Sequence, residues 1–486
     1  MKQKKHLPVF LAAAMLLVCA ATACGGESTD PGYTADTTAA ATDALTTEDP
    51  GPQVNLPADA DYGGYTVTFL TLTNYNNNFR LNVESDGETL NDAGAERNNL
   101  VAERLNVTFE TVEFDDPVPT FRQSVMAGET MYDFMLPHAT GGIAAMVTDQ
   151  LLYDWNALEY VDFKQPWWNT TMTESLGIGG KLFYASGDIV MTWQGMQTVI
   201  FNKTYLSGME LEKDLYETAF DGEWTMDYMA QLIKGHSKDL NGDGKMTEVD
   251  QYVLLDNKGC GYSYMYAADQ RVTVPDDEGY PVLTLNTERM AEIVNKYYNL
   301  VHSGETYLGE YSNASYPTSP YRNIIIEGRA FLSTLDVGGL YSYLREIEFD
   351  FGLLPMPKFD EAQENYRVFC GAGLIGVPSN VPDTARTGAV AEALAYYSYR
   401  EIRPAFFDIV LENKAVRDEN SYKVLQLMHE NKVFDFGFNF DGTGYNIIKE
   451  VVVDKKSTDF ASAYAKKEKA ILKNFDKIIN AVKESE

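Results

Sequence analysis

The chain has 486 residues, of which 39 are Lys or Arg and 71 are Asp or Glu, giving a net charge of −32 at pH 7. A surface this acidic repels phosphates, which excludes nucleic acid as a partner and disfavours anionic lipid headgroups. The length exceeds what a single hydrophobic core supports, so we expect two lobes.

The first 23 residues predict a signal peptide. A basic start, MKQKKH, precedes LPVFLAAAMLLVCAATA, an apolar run too short to remain as a membrane span. Because small residues stand directly before Cys24, the segment resembles a lipoprotein signal in which Cys24 is lipidated after cleavage. Ordinary secretion with cleavage near Ala23 is the alternative. The lipoprotein pattern predicts an extracellular protein, anchored by lipid to the outer face of the cell membrane.

Residues 24–60 predict a disordered tether. They are rich in Thr, Ala, Asp and Pro and almost free of large apolar side chains, so they cannot form a core. From Tyr62 onward, predicted strands alternate with predicted helices, in the order GYTVTFLTLT, TLNDAGAERNNLVAERL, NVTFETVEF, VPTFRQSVMAG and YDFMLPHAT. This alternation predicts an α/β fold with a mostly parallel sheet flanked by helices.

A second stretch repeats this style. KLFYASGDI and TVIFNK are predicted strands on either side of VMTWQGMQ, and a helix is predicted after Thr225. GYSYMY is predicted to be extended, with its tyrosines on one face: Tyr262, Tyr264 and Tyr266. The C-terminal DFASAYAKKEKAILKNFDKIINAVKES is predicted to be one amphipathic helix, with an apolar face formed by Phe460, Tyr464, Ile471, Phe475, Ile478 and Val482.

The segment DLNGDGKMTEVD has the spacing of oxygen ligands in a calcium loop. We predict a structural Ca²⁺ site with side-chain ligands and, at Lys245, a backbone carbonyl ligand: Asp239, Asn241, Asp243, Lys245, Thr247 and Asp250. Gly244 permits the sharp turn, and Asp250 stands where a bidentate Glu is usual. A solvated Asn/Asp/Gly turn without metal is the alternative.

The sequence contains no complete catalytic motif. GAGLIG fits the dinucleotide-binding glycine pattern, but Val377 and Pro378 follow where a helix must begin. The sequence contains no G-x-S-x-G, no G-K-[ST] phosphate loop and no C-x-x-C. We therefore predict that the protein is not an enzyme. A surface glycan-degrading enzyme stays as the alternative, because carboxylate pairs arise easily in so acidic a chain.

The ordered segments together resemble a known family. They are GETLNDAGAERNNLVAERLNVTFE, AGETMYDFMLPHATGG, QPWWNTTMTESLGIGGKLFYASGDI, QTVIFNKTYL, EWTMDYMAQLIKGHSKDLNGDGKMTEVDQY, EGRAFLSTLDVGGL and FDFGLLPMPKFDEAQENY. This set, from about Tyr62 to the C-terminus, resembles the extracellular solute-binding lipoproteins of sugar-type ABC importers in Gram-positive bacteria. The resemblance implies a two-lobe periplasmic-binding-protein-like fold, with a ligand cleft between the lobes.

The same resemblance implies the domain plan and the partners. Lobe one is predicted to contain residues 61–188 and 355–433, and lobe two residues 189–354 and 434–486. The predicted partners are a carbohydrate, in our expectation an oligosaccharide, and the transmembrane subunits of an ABC permease. We expect a monomer. A non-sugar solute bound on the same fold is a further alternative.

Sugar sites combine aromatic platforms with polar side chains. Trp193 and Gln194 lie in the loop that faces the cleft in the resembled family, and Trp193 is predicted to stack on the ligand, with packing in the core as the alternative. The complete set of predicted ligand-binding residues, most of them at strand ends, is Asn74, Tyr75, His138, Trp193, Gln194, Asp336 and Gly338. Packing at the lobe boundary is the favoured role for Trp167 and Trp168. Either a disulfide or two buried thiols would suit Cys260 and Cys370.

Overall fold

The computed structural model describes the chain from residue 52 to residue 485 in segments. These are residues 52–73, 79–209, 211–310, 319–343, 347–371, 373–412, 418–440 and 442–485. The predicted signal peptide, Cys24 and most of the predicted tether lie outside these described residues.

The first sheet is parallel and has the strand order β2–β1–β3. Its strands are β1 (Tyr65–Leu72), β2 (Val107–Phe114) and β3 (Phe134–Leu136). Helix Thr89–Leu105 connects β1 to β2, and it ends where Asn106 adopts the left-handed conformation with φ 49°. These elements confirm the predicted alternation of strands and helices, because a parallel pair needs a crossover helix between its strands.

The second sheet has the strand order β10–β4–β9–β5–β8. Its strands, in chain order, are β4 (Gln197–Asn202), β5 (Tyr252–Asn257), β8 (Thr306–Gly309), β9 (Ala330–Asp336) and β10 (Phe351–Pro355). Strand β5 runs parallel to β8 and β9, whereas β4 is antiparallel to β9 and β10. The sheet is therefore mixed, with a parallel half and an antiparallel half.

Two small ribbons complete the strands of the described residues. One is the antiparallel pair β6 (Thr273–Pro275) and β7 (Pro281–Leu283), and the other is the parallel pair β11 (Val368–Phe369) and β12 (Lys432–Val433). The α-helices that surround the sheets are Thr89–Leu105, Pro117–Met126, Ile143–Thr148, Thr170–Leu176, Lys203–Leu206, Leu215–Phe220, Met226–Leu232, Gly261–Ala267, Glu288–Val301, Pro320–Ile326, Val337–Tyr343, Thr384–Tyr397, Arg403–Glu412, Glu419–Glu430, Phe436–Asn439, Ile447–Lys449 and Phe460–Lys483.

Two predicted strands are wrong. Residues 181–189 form single bridges, among them Ala185 to Ile375, and then a 3₁₀ turn at Asp188–Val190. GYSYMY belongs to helix Gly261–Ala267, in which Tyr264 and Tyr266 are both buried. The alternating tyrosines imitate a strand, but a helix surrounded by apolar neighbours also buries residues two apart.

Residues 185–196 and 370–376 connect the two sheets. Ala185 pairs with Ile375 and Met196 pairs with Cys370, both antiparallel, while Gly376 pairs with Met135 of β3. The second connecting segment therefore brings the chain back to the first sheet. Before it, the Lys358 N–H donates to the Trp224 carbonyl at 3.1 Å. The predicted lobe boundaries all remain predictions.

The C-terminal helix, Phe460–Lys483, confirms its predicted apolar face, because all six residues of that face are buried: Phe460, Tyr464, Ile471, Phe475, Ile478 and Val482. This helix packs against helix Glu288–Val301 and against helix Ile143–Thr148. Within the described ranges, no helix is both long and apolar enough to span a membrane.

A buried carboxylate fixes the PWWN segment. The Trp167 Nε1–H donates to Glu392 Oε1 at 2.9 Å, and the Trp168 Nε1–H donates to Glu392 Oε2 at 2.7 Å. Both indoles are buried, which confirms their predicted packing role. Burial raises the pKa of Glu392 to about 7, although the two indole N–H groups oppose this shift.

The raised pKa of Glu392 predicts a pH-dependent stability. A carboxyl whose folded pKa exceeds its unfolded value stabilises the folded state fully below the unfolded pKa, and this stabilisation is lost as the pH rises through the folded pKa. We expect the free energy of unfolding to fall by about 1–3 kcal/mol between pH 4.5 and 7 on account of Glu392. Urea unfolding across this window measures it. In Glu392→Gln the decline should be smaller, whereas exposed Glu430→Gln should leave it unchanged. Equal slopes in all three proteins would contradict the assignment.

Candidate functional site

Three of the predicted ligand residues meet at one edge of the second sheet. Asp336 ends β9, Gln194 precedes β4, and these strand ends are adjacent because Gln197 pairs with Asp336. A methyl group placed on Gly338 would lie 3.2 Å from Asp336 Oδ1 and 3.4 Å from Gln194 Cβ. The structure therefore brings Gln194, Asp336 and Gly338 together, and all three residues are half-buried.

Tyr262 lies at the same edge, since helix Gly261–Ala267 follows β5 and β5 is parallel to β9. Its ring centroid is 5.0 Å from those of Phe369 and Phe438 and 6.0 Å from that of Tyr445. The charge of Asp336 contributes to raising the pKa of Tyr262, after the larger effect of burial. Tyr262 is only half-buried. We call Tyr262, Phe369, Phe438 and Tyr445 the aromatic cluster. Phe369 and Phe438 are buried, whereas Tyr262 and Tyr445 are partly exposed; Tyr262 lies beside a carboxylate and an amide.

Asp256 positions the helix that carries Tyr262. This buried carboxylate accepts hydrogen bonds from the Tyr264 hydroxyl at 3.2 Å, the Tyr297 hydroxyl at 2.9 Å and the Thr334 hydroxyl at 2.7 Å. Burial raises its pKa to about 6. Asp256 was not among the predicted site residues. Its signal in the sequence is an acidic residue inside the otherwise apolar strand YVLLDN.

A cavity lies at the carboxyl ends of β1 and β3. It has a volume of about 520 Å³, and its lining includes Leu72, Val118, Arg122, Met126 and His138. His138 is exposed, and its Nδ1 lies 3.1 Å from the Thr140 hydroxyl. The lining combines apolar side chains with four polar ones, Asp116, Arg122, Gln123 and His138, which suits a ligand that has both an apolar face and hydroxyl groups.

A hydrogen bond links the two regions. The Asn439 side chain donates through Nδ2 to the Ala139 carbonyl at 2.8 Å. Ala139 follows His138, and Asn439 follows Phe438 of the aromatic cluster. The His138 loop is therefore held next to the segment that carries part of the aromatic cluster. Asn74 and Tyr75, which were predicted to belong here, lie outside the described residues.

Trp193 does not present its ring to solvent. The side chain is 1 % exposed, and its ring centroid is 3.9 Å from that of Phe406. Trp193 therefore packs against Phe406, and this packing disfavours the predicted stacking on a ligand. The sequence could not reveal this, because the partner ring comes from helix Arg403–Glu412, far along the chain.

Buried charges lie beside Trp193. Asp188 forms an ion pair with Arg403, whose guanidinium also lies over the Tyr399 ring at 4.5 Å. Lys432 Nζ lies 2.9 Å from His429 Nδ1, and burial lowers the pKa of Lys432 to about 8 and that of His429 to about 3. Since His429 is neutral at pH 7, its ring nitrogen accepts from the ammonium group. The Asp188–Arg403 pair ties the connection between the sheets to helix Arg403–Glu412.

The predicted calcium loop is held by its own hydrogen bonds. Asp239 accepts from the N–H groups of Gly242 and Gly244, both at 2.7 Å, and Asp250 accepts from Thr247 N–H at 2.7 Å. Gly244 has φ +78°, as the predicted turn requires, and β5 follows the loop. In the described part of the chain, no three His, Cys, Asp or Glu side chains are grouped as a metal site. Calcium therefore stays a prediction for this loop.

Comparison with known proteins gives structural neighbours only. No protein-family model and no curated protein matches the chain. The galacto-N-biose/lacto-N-biose I-binding protein of a Bifidobacterium longum ABC transporter, solved with lacto-N-biose, is 14 % identical with a TM-score of 0.56, over 86 % of this chain and 98 % of the neighbour. The GacH receptor of Streptomyces glaucescens, solved unliganded and with acarbose, is 14 % identical with a TM-score of 0.54, over 85 % and 99 %.

A third neighbour is the maltose/maltodextrin-binding domain MalE from Bdellovibrio bacteriovorus, solved with maltotriose. It is 13 % identical, with a TM-score of 0.52, and the match covers 85 % of this chain and 99 % of the neighbour. At this identity the likeness establishes the fold. The chain has the two-lobe periplasmic-binding-protein-like α/β architecture that the sequence predicts.

The calcium prediction is tested by chelation. Extracellular calcium modules bind at roughly 10⁻⁴–10⁻³ M, and tenfold saturation stabilises the folded state by about 1.4 kcal/mol. Removing calcium should therefore lower the melting temperature by about 1–3 °C, and Asp243→Ala should abolish the difference. If chelation does not change the melting temperature of the wild type, in protein verified to be metal-free, the loop is a hydrogen-bonded turn without calcium.

Proposed function

We propose that this protein is the extracellular substrate-binding component of an ABC transporter, which captures a carbohydrate and delivers it to the transmembrane subunits of the permease. The observation that carries the proposal is the fold likeness over nearly the full length of neighbours described as binding lacto-N-biose, acarbose and maltotriose. These neighbours are binding proteins, and we propose a binding role without catalysis for this chain as well.

The chemistry of the candidate site supports a sugar ligand. A pyranose ring has an apolar face, which packs on aromatic rings, and hydroxyl groups, which bond to carboxylates and amides. Tyr262 supplies a partly exposed ring, while Asp336 and Gln194 supply polar groups at the same sheet edge. The cavity at His138 would receive further parts of the ligand, so we propose an oligosaccharide.

We also propose that the mature protein is a monomer, anchored to the outer face of the cell membrane through lipidated Cys24. The sequence before Cys24 supports this proposal, since it combines a basic start, a short apolar run and small residues. Attachment through several acyl chains would be stable, whereas a single chain binds membranes only marginally.

Replacing Tyr262 tests the ligand site. An aromatic platform contributes about 0.5–1.5 kcal/mol beyond its buried area, so Tyr262→Ala should weaken sugar binding by at least about tenfold. The affinity is to be measured by calorimetry, after a thermal-shift screen of an oligosaccharide panel identifies a ligand. Tyr262→Phe is the matched control, because it keeps the ring and should bind within a few-fold of the wild type.

Trp193→Ala separates the packing role from the ligand role. Removing a buried indole should lower the free energy of unfolding by about 3–5 kcal/mol. If Tyr262→Ala binds as tightly as the wild type while Trp193→Ala folds normally and loses binding, Trp193 is the platform after all. If no sugar in the panel binds or is cleaved, the proposed carbohydrate function fails; product formation would instead indicate an enzyme.

Cys24→Ser tests the anchor. Without a thiol to carry the lipid, the variant should leave the membrane fraction and appear in the medium, as judged by immunoblotting of cell fractions. Cys260→Ser, which leaves the predicted lipidation site intact, serves as the control and should stay with the membrane. A Cys24→Ser protein that fractionates with the membrane like the wild type would rule out the lipoprotein proposal.

A further inference from the structure

The outer face of the C-terminal helix is basic, in contrast to the rest of the chain. Helix Phe460–Lys483 contains six lysines and two acidic residues, a net charge of +4 in a chain of −32. Four of these lysines are exposed and recur at helical spacing: Lys466, Lys469, Lys473 and Lys477. Offsets of three and four residues place side chains on one face of a helix. We call these four residues the lysine stripe; it extends over roughly 16 Å.

The described part of the protein neutralises the lysine stripe only in part, since the one acidic residue on its face is exposed Asp476, three residues after Lys473. Lys467, at the flank, bonds to Glu450, but Lys469, Lys473 and Lys477 have no ion pair with any described residue. Lys466 acts on Asp459 at the start of the helix, where its charge helps to lower the carboxyl pKa after the larger effect of two Ser462 hydrogen bonds. The opposite face of the helix is already buried through Phe475, Ile478 and Val482.

We propose that the lysine stripe is a docking surface for anionic lipid headgroups, which orients this protein on a membrane. Three facts favour lipid over protein as the partner. The stripe contains no exposed aromatic residue or Arg, the types that concentrate in protein interfaces, where Lys is depleted. Lysine is a flexible point charge that accepts phosphates without fixed geometry. The apolar face of the helix is occupied, so the helix lies on the headgroups without inserting.

The net negative charge of the chain does not prevent this contact. At physiological ionic strength, charges separated by more than about 8 Å are largely screened. The electrostatic potential that the membrane meets therefore comes from the nearest residues of the protein. Each basic residue near an anionic leaflet contributes about 1 kcal/mol to binding. The inference does not depend on the ligand of the cleft. It refines the expectation from net charge, which disfavours anionic headgroups for the surface as a whole.

The test is sedimentation with lipid vesicles, using the chain with Cys24→Ser so that no acyl anchor contributes. Vesicles of phosphatidylcholine alone are compared with an equal mixture of phosphatidylcholine and phosphatidylglycerol. The protein should bind the mixed vesicles only, and less at higher salt. The triple variant Lys469→Gln, Lys473→Gln and Lys477→Gln should bind at least about tenfold more weakly.

A matched control removes the same charge elsewhere. Lys164→Gln, Lys234→Gln and Lys238→Gln change three exposed lysines outside the C-terminal helix, and this variant should bind within about twofold of the parent protein. Thermal melts confirm that both triple variants are folded. The proposal is overturned if the parent protein does not bind the mixed vesicles, or if the two triple variants lose binding equally. Binding to a purified acidic protein without binding to vesicles would also overturn it.

Discussion

The two sheets are connected through a short antiparallel contact, in which Ala185 pairs with Ile375 and Met196 pairs with Cys370. The predicted ligand-binding residues that the structure describes lie in this contact or just after the ends of β3 and β9: His138, Trp193, Gln194, Asp336 and Gly338. Gln194 lies inside the first connecting segment, and Gly371 in the second donates its N–H to the Gly195 carbonyl at 3.3 Å. Close approach of the backbones is possible here partly because Gly187 has no side chain: a Cβ would lie 2.5 Å from the Trp167 carbonyl oxygen.

Buried carboxylates hold the elements around this contact. Asp435 accepts hydrogen bonds from the Val272 N–H at 2.6 Å and from the Thr273 hydroxyl at 2.6 Å, joining ribbon β6–β7 to the start of helix Phe436–Asn439. Asp256 accepts hydrogen bonds in the same way inside the second sheet, and Glu392 accepts them from the two indoles of the PWWN segment. A buried charge is costly unless hydrogen bonds satisfy it, so each of these carboxylates fixes its donors in one arrangement. Through these hydrogen bonds, Asp256 positions the helix that carries Tyr262, and Asp435 positions the segment that carries Phe438.

The sequence was sufficient where a periodic pattern extended over many residues. The helices at Thr89–Leu105 and Phe460–Lys483 and the strands β1, β2 and β4 were predicted because burial of one face imposes a regular spacing. It was wrong for the conformation at Tyr262, whose neighbours suggested a strand, and the predicted stacking of Trp193 stays a prediction that its burial disfavours. A single aromatic residue in a loop packs on a ligand or on a distant helix with equal ease, and only the tertiary fold brings Phe406 against Trp193. The carboxyl-end rule for parallel strands identified Asp336 and His138 as candidates, although it did not indicate which rings accompany them.

Cys260 and Cys370 are both free, buried thiols, which decides between the two alternatives of the sequence. The Cys370 thiol donates to the Thr192 carbonyl at 2.8 Å, within the connection between the sheets. Burial raises the pKa of both thiols to about 12. A thiol of this kind cannot react with an alkylating reagent while it is buried, because the thiolate is the nucleophile. The rate at which Cys370 is alkylated in the folded protein therefore reports how often the connection between the two sheets opens. The native chain thus contains a built-in chemical probe of motion at this connection.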